Sequence, residues 1–374
     1  MIELKITHYA VGQGLCVVVS CTYPGGKCLA ILDMGTTYPI DSKTAQSIED
    51  INAEIRNNNN SVQCVLISHL DSDHFNLFEK LTDLNVLEKV IVGGTENGLQ
   101  IVDESKYSLI DALFPNLISR ESVDMAWINK YYTMQFCNPY FSILGQNPLS
   151  YVLNLTGDIK FCLNVLAYRA DLYPTMTLFN TSRSSLINSG STIALITLLT
   201  NWNKPICSYL FTGDATNMTL NCLNEQNFRF DNEYKAVLIP HHGSMKNIYD
   251  TAINRNILDA FLACYQPNAA FVSAKCLALN HGRRGWVHPH YNIIQKYRSI
   301  ADNSGISHMV TSFSYDRYLK CHMDAYSEQV HSTHWSHPSC YPSFVATNIQ
   351  LSFRVTPEGC EQNISSIGEN DLVR

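Results

Sequence analysis

Charged side chains and long apolar runs are both scarce in this sequence of 374 residues. Asp, Glu, Lys and Arg make up 16% of it, and the formal net charge is −7, which argues against strong electrostatic binding of nucleic acid through clustered Lys and Arg. No apolar run approaches the roughly 20 residues that cross a bilayer. The start, Met1–Lys5, has no signal-peptide layout. We therefore expect a free-standing protein of the cytoplasm without a membrane segment.

Paired cysteine motifs are also absent. The 13 cysteines form no Cys-x-x-Cys pair, and an odd, scattered set does not suit a disulfide framework, so reduced thiols and no zinc ribbon are expected. Histidines recur at a spacing of three at His331, His334 and His337. This short stretch is interpreted as a solvated loop, with opportunistic cation binding as the alternative.

Apolar runs and turn residues alternate in the manner of a mixed α/β protein. The patterns predict strands over residues 2–9, 15–21, 28–33, 62–67, 88–92, 159–167, 191–199, 206–212, 235–239 and 270–273, with later strands near 307–312 and 347–355. They predict helices over 44–57 and 75–84 and near 290–302. Residues from about 98 to 150 are Tyr- and Asn-rich and are interpreted as an insertion that shapes a substrate cleft.

The most informative stretch is His69-Leu70-Asp71-Ser72-Asp73-His74, which follows the apolar run Cys64–Ile67. Four groups that can bind a metal lie within six residues, and they would repel one another or be poorly solvated without a cation. Imidazole nitrogen suits zinc or manganese, while carboxylate oxygen favours harder cations. The stretch therefore predicts a metal site at the end of a strand, and a solvated acidic turn is the alternative.

Further histidines and one aspartate follow other predicted strands. Asp214 ends one apolar run, the pair His241-His242 ends the next, and a loop after Phe271–Ser273 reaches His288 and His290. Four strand ends that each deliver His or Asp are typical of a metal-site constellation.

These motifs, in this order, resemble the metallo-β-lactamase-fold hydrolases, and within them the soluble domain of ComEC-type competence proteins. The matching stretches are Val11–Gly14, Ile31–Gly35, Ser68–His74, Asn188–Ser191, Thr212–Asp214, His241–Ser244 and His288–His290. The usual first motif of the superfamily is His-x-His-x-Asp-His, and the ComEC-type variant has Asp at the position of Asp71. The resemblance implies a four-layer αββα sandwich over residues 1–315, with residues 316–374 as a C-terminal extension packed on the same domain.

The resemblance also implies a set of site residues. The metal ligands that it implies are His69, Asp71, Asp73, His74, Asp214, His241 and His288. Among these, His69 and Asp71 would serve one metal position and Asp73 and His74 the second, with Asp214 bridging. Catalytic roles fall to Asp73, His242 and His288, and Asp73 can be interpreted as a ligand or as a base. Which histidine of each pair binds metal is left open by the sequence.

The chain departs from the family pattern in three places. Leu15-Cys16 replaces the usual acidic and small residues after Gly-Gln-Gly, and Phe75-Asn76 replaces the glycines usual after the first motif. No histidine lies between 75 and 213, where other members place a third imidazole. Both one ion and two ions per chain therefore stay open.

Together these features predict a metal-dependent hydrolase that uses a water activated by zinc or manganese. The carboxylates favour phosphoryl chemistry, so a phosphodiesterase or nuclease acting on nucleic acid or a nucleotide is the first hypothesis. Arg283, Arg284 and His290 are expected to bind substrate, since arginine pairs well with phosphate oxygens, although an exposed polar loop is the alternative. The other hypotheses are a hydrolase of phosphocholine-type or carboxylic esters and a catalytically silent sensor or partner module. The sequence says nothing of protein partners.

Overall fold

The computed structural model describes the chain in fifteen stretches. They are residues 1–12, 14–37, 39–93, 106–118, 120–127, 149–167, 188–225, 232–273, 290–301, 311–316, 321–327, 330–332, 334–335, 345–346 and 348–367. Structural statements below concern these residues.

The described residues form strands and helices in alternation. The strands, in chain order, are β1 (Ile2–His8), β2 (Cys16–Tyr23), β3 (Gly26–Met34), β4 (Ser61–Ile67), β5 (Val86–Val92), β6 (Asp124–Trp127), β7 (Ser150–Asn154), β8 (Ile159–Ala167), β9 (Ile193–Thr200), β10 (Pro205–Phe211), β11 (Tyr234–Leu238), β12 (Ala269–Val272), β13 (Thr311–Asp316), β14 (Cys321–Ser327), β15 (Val330–Ser332), β16 (His334–Trp335), β17 (Val345–Ala346), β18 (Asn348–Thr356) and β19 (Gly359–Ile367). The helices are α1 (Ser42–Arg56), α2 (Ser72–Phe75), α3 (Lys106–Leu113), α4 (Asn217–Glu225), α5 (Ala252–Tyr265) and α6 (Tyr291–Ala301), with 3-10 turns at Phe78–Lys80 and His241–Gly243.

Two large sheets organise these elements. The first has eight strands in the order β19-β18-β1-β2-β3-β4-β5-β6, and the second has seven in the order β15-β12-β11-β10-β9-β8-β7. In the first sheet β3, β4, β5 and β6 run parallel, and in the second β10, β11, β12 and β15 do. The carboxyl ends of each parallel set therefore meet at one edge of its sheet.

Three apolar layers separate the sheets and helices. Between the sheets, alternate residues such as Leu4, Leu66 and Phe353 of the first pack with Leu163 and Phe211 of the second. On the outer face of the first sheet, α1 and α3 cover a second layer, and on the outer face of the second sheet α4, α5 and α6 cover a third. The order of layers is helix, sheet, sheet, helix, so the predicted αββα sandwich is confirmed.

Helix α1 has a capped start and one buried face. Asp41 caps α1 by accepting a hydrogen bond from the Thr44 backbone N–H at 2.7 Å, which satisfies a donor that the first turn leaves free. Ile48, Ile51 and Ile55 lie on its buried face, spaced by three and four residues. No described helix has the length and apolarity needed to cross a bilayer.

The helix predicted over 75–84 is wrong in extent. Helix α2 ends at Phe75, and only the 3-10 turn Phe78–Lys80 follows. The Asn76 side chain explains the break, since its Oδ1 accepts from Thr36 N at 2.9 Å and its Nδ2 donates to Thr36 O at 2.7 Å. This pair of bonds ties the end of α2 to the loop after β3.

The C-terminal strands belong to the first sheet. Strand β18 pairs antiparallel with the full length of β1, from Ile2 opposite Val355 to His8 opposite Ile349. A domain boundary at residue 315 stays a prediction, as does an insertion near 98–150. Among residues 98–150, α3 packs on the outer face of the first sheet and β6 pairs with β5.

Candidate metal centre

The candidate site lies where the carboxyl ends of the two parallel sets approach each other. The first sheet contributes Asp33 near the end of β3 and the segment Ser68–His74 after β4. The second contributes Asp214 after β10 and His241-His242 after β11. A backbone hydrogen bond of 2.9 Å from Thr192 N to Ser68 O joins the two edges. Parallel pairing within each sheet thus brings together residues far apart in sequence.

A buried carboxylate holds the first loop in place. Asp33 is fully buried, and its two oxygens accept from Ser68 N, from Ser68 Oγ and from His74 Nδ1, each at 2.6 Å. Because Ser68 Oγ donates to Asp33, it accepts from His69 Nδ1 at 3.1 Å. Both imidazoles therefore carry a proton on Nδ1 and direct Nε2 away from Asp33. Such an outer carboxylate fixes the tautomer of a metal-binding histidine.

His242 is anchored in the same way by the second sheet. Its Nδ1 lies 2.6 Å from the carbonyl oxygen of Ser273, which can only accept, so the proton again lies on Nδ1. Its Nε2 lies 3.4 Å from Asp214 Oδ1 and 3.6 Å from Asp73 Oδ2. Ser273 is itself held by a 2.7 Å hydrogen bond to the carbonyl of Gly14. Three imidazoles thus offer Nε2 to one small volume.

That volume fits a divalent cation. Ligand atoms of His69, His74 and Asp214 lie within 4.8 Å of one another, and so do those of Asp73, His74 and His242. His74 belongs to both groups. Nε2 of His69, His74 and His242, and Oδ1 of Asp214, are buried and have no hydrogen-bond partner among the described residues. Leaving such groups unsatisfied is costly, and a zinc- or manganese-type ion accepts nitrogen and carboxylate ligands together.

The charged groups in the site shift one another's pKa values. Burial raises the pKa of Asp214, but His242, His74 and His241 outweigh burial and hold that pKa well below its usual range. Burial lowers the pKa of His74, but Asp214 and Asp33 outweigh it and raise the pKa well above the ordinary value. Without a cation, the His74 imidazole therefore holds a proton between these two carboxylates.

Asp73 and His242 shift each other's pKa in the same way. Burial raises the pKa of Asp73, yet His242 and His74 outweigh burial and keep that pKa below its usual range. Burial lowers the pKa of His242, yet Asp214 and Asp73 raise it above the ordinary value. A bound cation would take the place of the imidazole protons that face these ionised carboxylates.

Two predicted ligands lie at the margin. Asp71 Oδ2 is 3.5 Å from His69 Nε2, and the Asp71 side chain is 40% exposed. His241 Nε2 is 3.8 Å from Asp214 Oδ2 and 3.0 Å from Asn188 Nδ2. The structure therefore groups His242 with the other ligand atoms and places His241 beside them. The roles of both residues stay predictions.

The last predicted site residues are only partly described. His290 N donates to Gly243 O at 2.8 Å, and His290 Nδ1 accepts from Asn292 N at 3.3 Å, so His290 connects the His241–Gly243 turn to the start of α6. Burial lowers the pKa of His290. His288, Arg283 and Arg284 lie outside the described residues. So do the side chains of His331 and His334, and all of His337.

Sequence reasoning did not assign the residues that orient the ligands. Asp33, Ser273 and Asn188 each hold a site histidine, yet none was predicted as a site residue. Asp33 carried a signal, because it is an acidic residue within the otherwise apolar run Leu29–Met34. The carbonyl of Ser273 could not be found, because backbone oxygens leave no mark on a sequence.

No protein-family profile and no curated protein matches this sequence. Among solved structures, the chain is similar to a long-form RNase Z from yeast, with 8% identity and a TM-score of 0.40, over 74% of this chain and 39% of that one. It is similar to unliganded yeast PDE1, with 11% identity and a TM-score of 0.40, over 89% of this chain and 98% of that one. It is also similar to metallo-β-lactamase SMB-1 bound to 2-mercaptoethanesulfonate, with 14% identity and a TM-score of 0.31, over 69% and 87%. The chain spans about two fifths of the length of that RNase Z. At these values, the similarities establish no activity.

Proposed function

We propose that this chain is a metal-dependent hydrolase of phosphodiester bonds, with nucleic acid or a nucleotide as substrate. The observation that carries the proposal is the convergence of buried imidazole nitrogens and a carboxylate oxygen that have no hydrogen-bond partner among the described residues. Each of the three imidazoles is oriented by a hydrogen bond at Nδ1. Structural cores seldom leave such atoms unsatisfied. A metallo-β-lactamase-type and ComEC-like ancestry, suggested by the order of the sequence motifs, agrees with this chemistry.

In this proposal the chain holds one or two zinc or manganese ions. His69, His74 and Asp214 would form one group of ligands, and Asp73, His74 and His242 form an alternative group that shares His74. Because Nε2 of His74 has a single lone pair, it would bind one ion, and a second ion would be held by the other residues. A bound divalent ion lowers the pKa of a coordinated water toward neutrality and withdraws charge from the attacked group. Asp33 would keep the Nε2 lone pair of His74 directed at the ion, because its carboxylate accepts the hydrogen bond that His74 Nδ1–H donates.

Asp73 has a second task beyond binding the ion. Its side chain is 17% exposed, against 7% for Asp214 and 0% for His74, so it is the ligand nearest to solvent among these three. Its lowered pKa keeps it ionised at neutral pH. An ionised carboxylate at the cleft can take the proton that leaves the attacking water.

The phosphodiester preference follows from the ligand set. Asp73 and Asp214 supply oxygen ligands, and Asp71 offers a third carboxylate at the rim. Oxygen-rich sites favour harder cations, which pair well with phosphate oxygens. Arg283 and Arg284 would bind phosphate oxygens of the substrate. The ComEC-like motifs favour nucleic acid as the substrate.

Hydrolysis of bis-p-nitrophenyl phosphate tests the proposed reaction. We expect the zinc- or manganese-loaded protein to cleave it, and Asp73→Asn and His69→Ala to lower kcat/KM by about a hundredfold or more, since each removes part of the catalytic centre. Asp158→Asn is the matched control, because it neutralises an exposed aspartate on the β7–β8 turn. Its rate should equal that of the wild type.

Other outcomes point elsewhere. Cleavage of a p-nitrophenyl carboxylic ester alone would favour an ester hydrolase. A folded, metal-loaded protein that cleaves neither compound with zinc, manganese or cobalt would favour a catalytically silent module. If the phosphodiester is cleaved, a screen of linear DNA, circular DNA, RNA and cyclic nucleotides identifies the substrate class.

A further inference from the structure

The two adjacent histidines after β11 adopt an unusual backbone conformation. His241 and His242 both have φ of 52°, in the left-handed region that side chains with a Cβ rarely adopt. Hydrogen bonds hold this turn, from His241 N to Gly213 O at 3.1 Å and from Ser244 N to His241 O at 2.7 Å. Strain of this kind persists where the surrounding structure imposes it, commonly at functional sites.

The two imidazoles are hydrogen-bonded through opposite nitrogens. His242 is held at Nδ1 by the Ser273 carbonyl and presents Nε2 to Asp214 and Asp73, as His69 and His74 present theirs to the cluster. His241 differs, because its Nε2 lies 3.0 Å from the amide nitrogen of Asn188. An amide N–H donates, so it occupies the lone pair that a metal ion would need.

Asn188 is itself fixed within the site. It is 6% exposed, and its carbonyl oxygen Oδ1 is buried with no hydrogen-bond partner among the residues that the structure describes. Its backbone oxygen accepts from Ser191 N at 3.0 Å, and Ser191 Oγ accepts from Asp214 N at 3.1 Å. The loop that carries Asn188 therefore also holds Asp214.

Exposure distinguishes His241 from the other imidazoles. Its side chain is 16% exposed, whereas that of His242 is 5% exposed and those of His69 and His74 are fully buried. His241 thus lies on the open side of the cluster. A group in that position meets a bound substrate before the deeper imidazoles do.

We propose that Asn188 is a positioning residue that occupies Nε2 of His241 and so reserves this imidazole for substrate, while His242 faces the ion. The inference deepens the proposed function and rests on it for the substrate role. Asn188 sets the tautomer of His241 with its proton on Nδ1. The backbone of the two-histidine turn separates the pair into one metal-facing and one substrate-facing side chain.

Zinc binding and histidine tautomers test the proposal without turnover. We expect His242→Ala to weaken zinc binding at least tenfold in equilibrium dialysis, since losing an outer residue alone typically costs 10- to 100-fold. His241→Ala and Asn188→Ala should keep wild-type zinc content and affinity. In ¹⁵N spectra of histidine-labelled protein, His241 should carry its proton on Nδ1, and Asn188→Asp, which can only accept, should move that proton to Nε2.

Asn232→Ala is the matched control for loss of a buried amide. Its Nδ2 donates to Tyr234 O at 2.6 Å near the start of β11, at the opposite end of the strand from the two histidines. It should leave the His241 tautomer and the zinc affinity unchanged. A weakening of zinc binding in His241→Ala that matches His242→Ala would overturn the proposal, as would an unchanged His241 tautomer in Asn188→Asp.

Kinetics test the substrate role separately. We expect His241→Ala and Asn188→Ala to lower kcat/KM for bis-p-nitrophenyl phosphate about tenfold to a hundredfold at full zinc content, because small misplacements of a positioning group have effects of this size. Wild-type kcat/KM in both variants would refute the substrate role. A wild-type protein that binds zinc but cleaves nothing would refute the proposed function, while the zinc and tautomer results would still decide the assignment of the two histidines.

Discussion

Asp33→Asn is the substitution that most sharply separates a metal centre from a merely polar cluster. The buried Asp33 carboxylate accepts three hydrogen bonds of 2.6 Å, two from Ser68 and one from His74 Nδ1. Asparagine has nearly the same shape and can still accept from Ser68 N through one oxygen. Its NH₂ group, however, would face two donors, His74 Nδ1–H and Ser68 O–H.

The clash between the new NH₂ group and the His74 Nδ1–H donor is relieved when His74 changes tautomer. The proton then moves to Nε2, which is the atom that both candidate ligand groups require. We expect divalent metal affinity to fall about 10- to 100-fold, as for the loss of other outer carboxylates, which corresponds to about 1.4–2.7 kcal/mol. In the metal-free protein, His74 also loses a buried charged partner, a change that typically costs about 3–5 kcal/mol.

Zinc titration by calorimetry, with unfolding followed in the presence and absence of a chelator, measures both effects. Ser68→Ala is the graded comparison, because it leaves the contact between Asp33 and His74 and should weaken binding less. Asp124→Asn is the neutral control, since it alters a carboxylate that bonds Lys89 at 2.7 Å near the protein surface. Wild-type zinc affinity in a folded Asp33→Asn protein would show that Asp33 does not orient a metal ligand.

Three further predictions concern the same region. Gly213→Ala should destabilise the fold by several kcal/mol in urea unfolding, because Gly213 has φ of +50° and a Cβ there would lie 2.5 Å from Ser68 Oγ. An unchanged midpoint of urea unfolding would contradict this packing. Zinc at 100 times its Kd should stabilise the chain by about 2.7 kcal/mol. The stabilisation should appear as a rise in Tm that a chelator reverses and that is absent in His74→Ala. An equal rise in His74→Ala would place the ion elsewhere. With a chelator present, the raised pKa of His74 contributes stability that is complete below the ordinary pKa of 6.5 and is lost as the pH rises through the pKa of the folded state. Tm should therefore fall from neutral to alkaline pH. A Tm that rises instead would show that His74 is not protonated between its carboxylates.

Much of the fold could be predicted from local patterns. The apolar runs of β4, β10 and β11 predict buried strands, and polar groups follow each of them. Because β10 and β11 are parallel neighbours, their polar groups lie at one edge of the second sheet, while those after β4 lie at an edge of the first. The helix over 75–84 could not be rejected from sequence, since its break depends on the contact between Asn76 and Thr36, which are 40 positions apart. Such contacts form only once the sheet has assembled.

The candidate site, like the fold, could be predicted only in part. Which residues gather could be predicted, as His69, His74 and Asp214 show. How each is oriented could not, because the partners are a backbone carbonyl, an aspartate from a neighbouring strand and an amide from a distant loop. The choice between His241 and His242 depends on these partners and on the left-handed backbone of the turn, neither of which leaves a periodic signal in the sequence.

Elemental analysis of the purified chain after dialysis against zinc or manganese shows whether the cluster around His74 holds a metal ion. We expect one or two tightly held ions per chain and a lower metal content in His74→Ala, because His74 belongs to both candidate groups of ligands. A folded wild-type chain that retains no ion under either condition, or a His74→Ala chain that retains the full complement, would contradict this expectation.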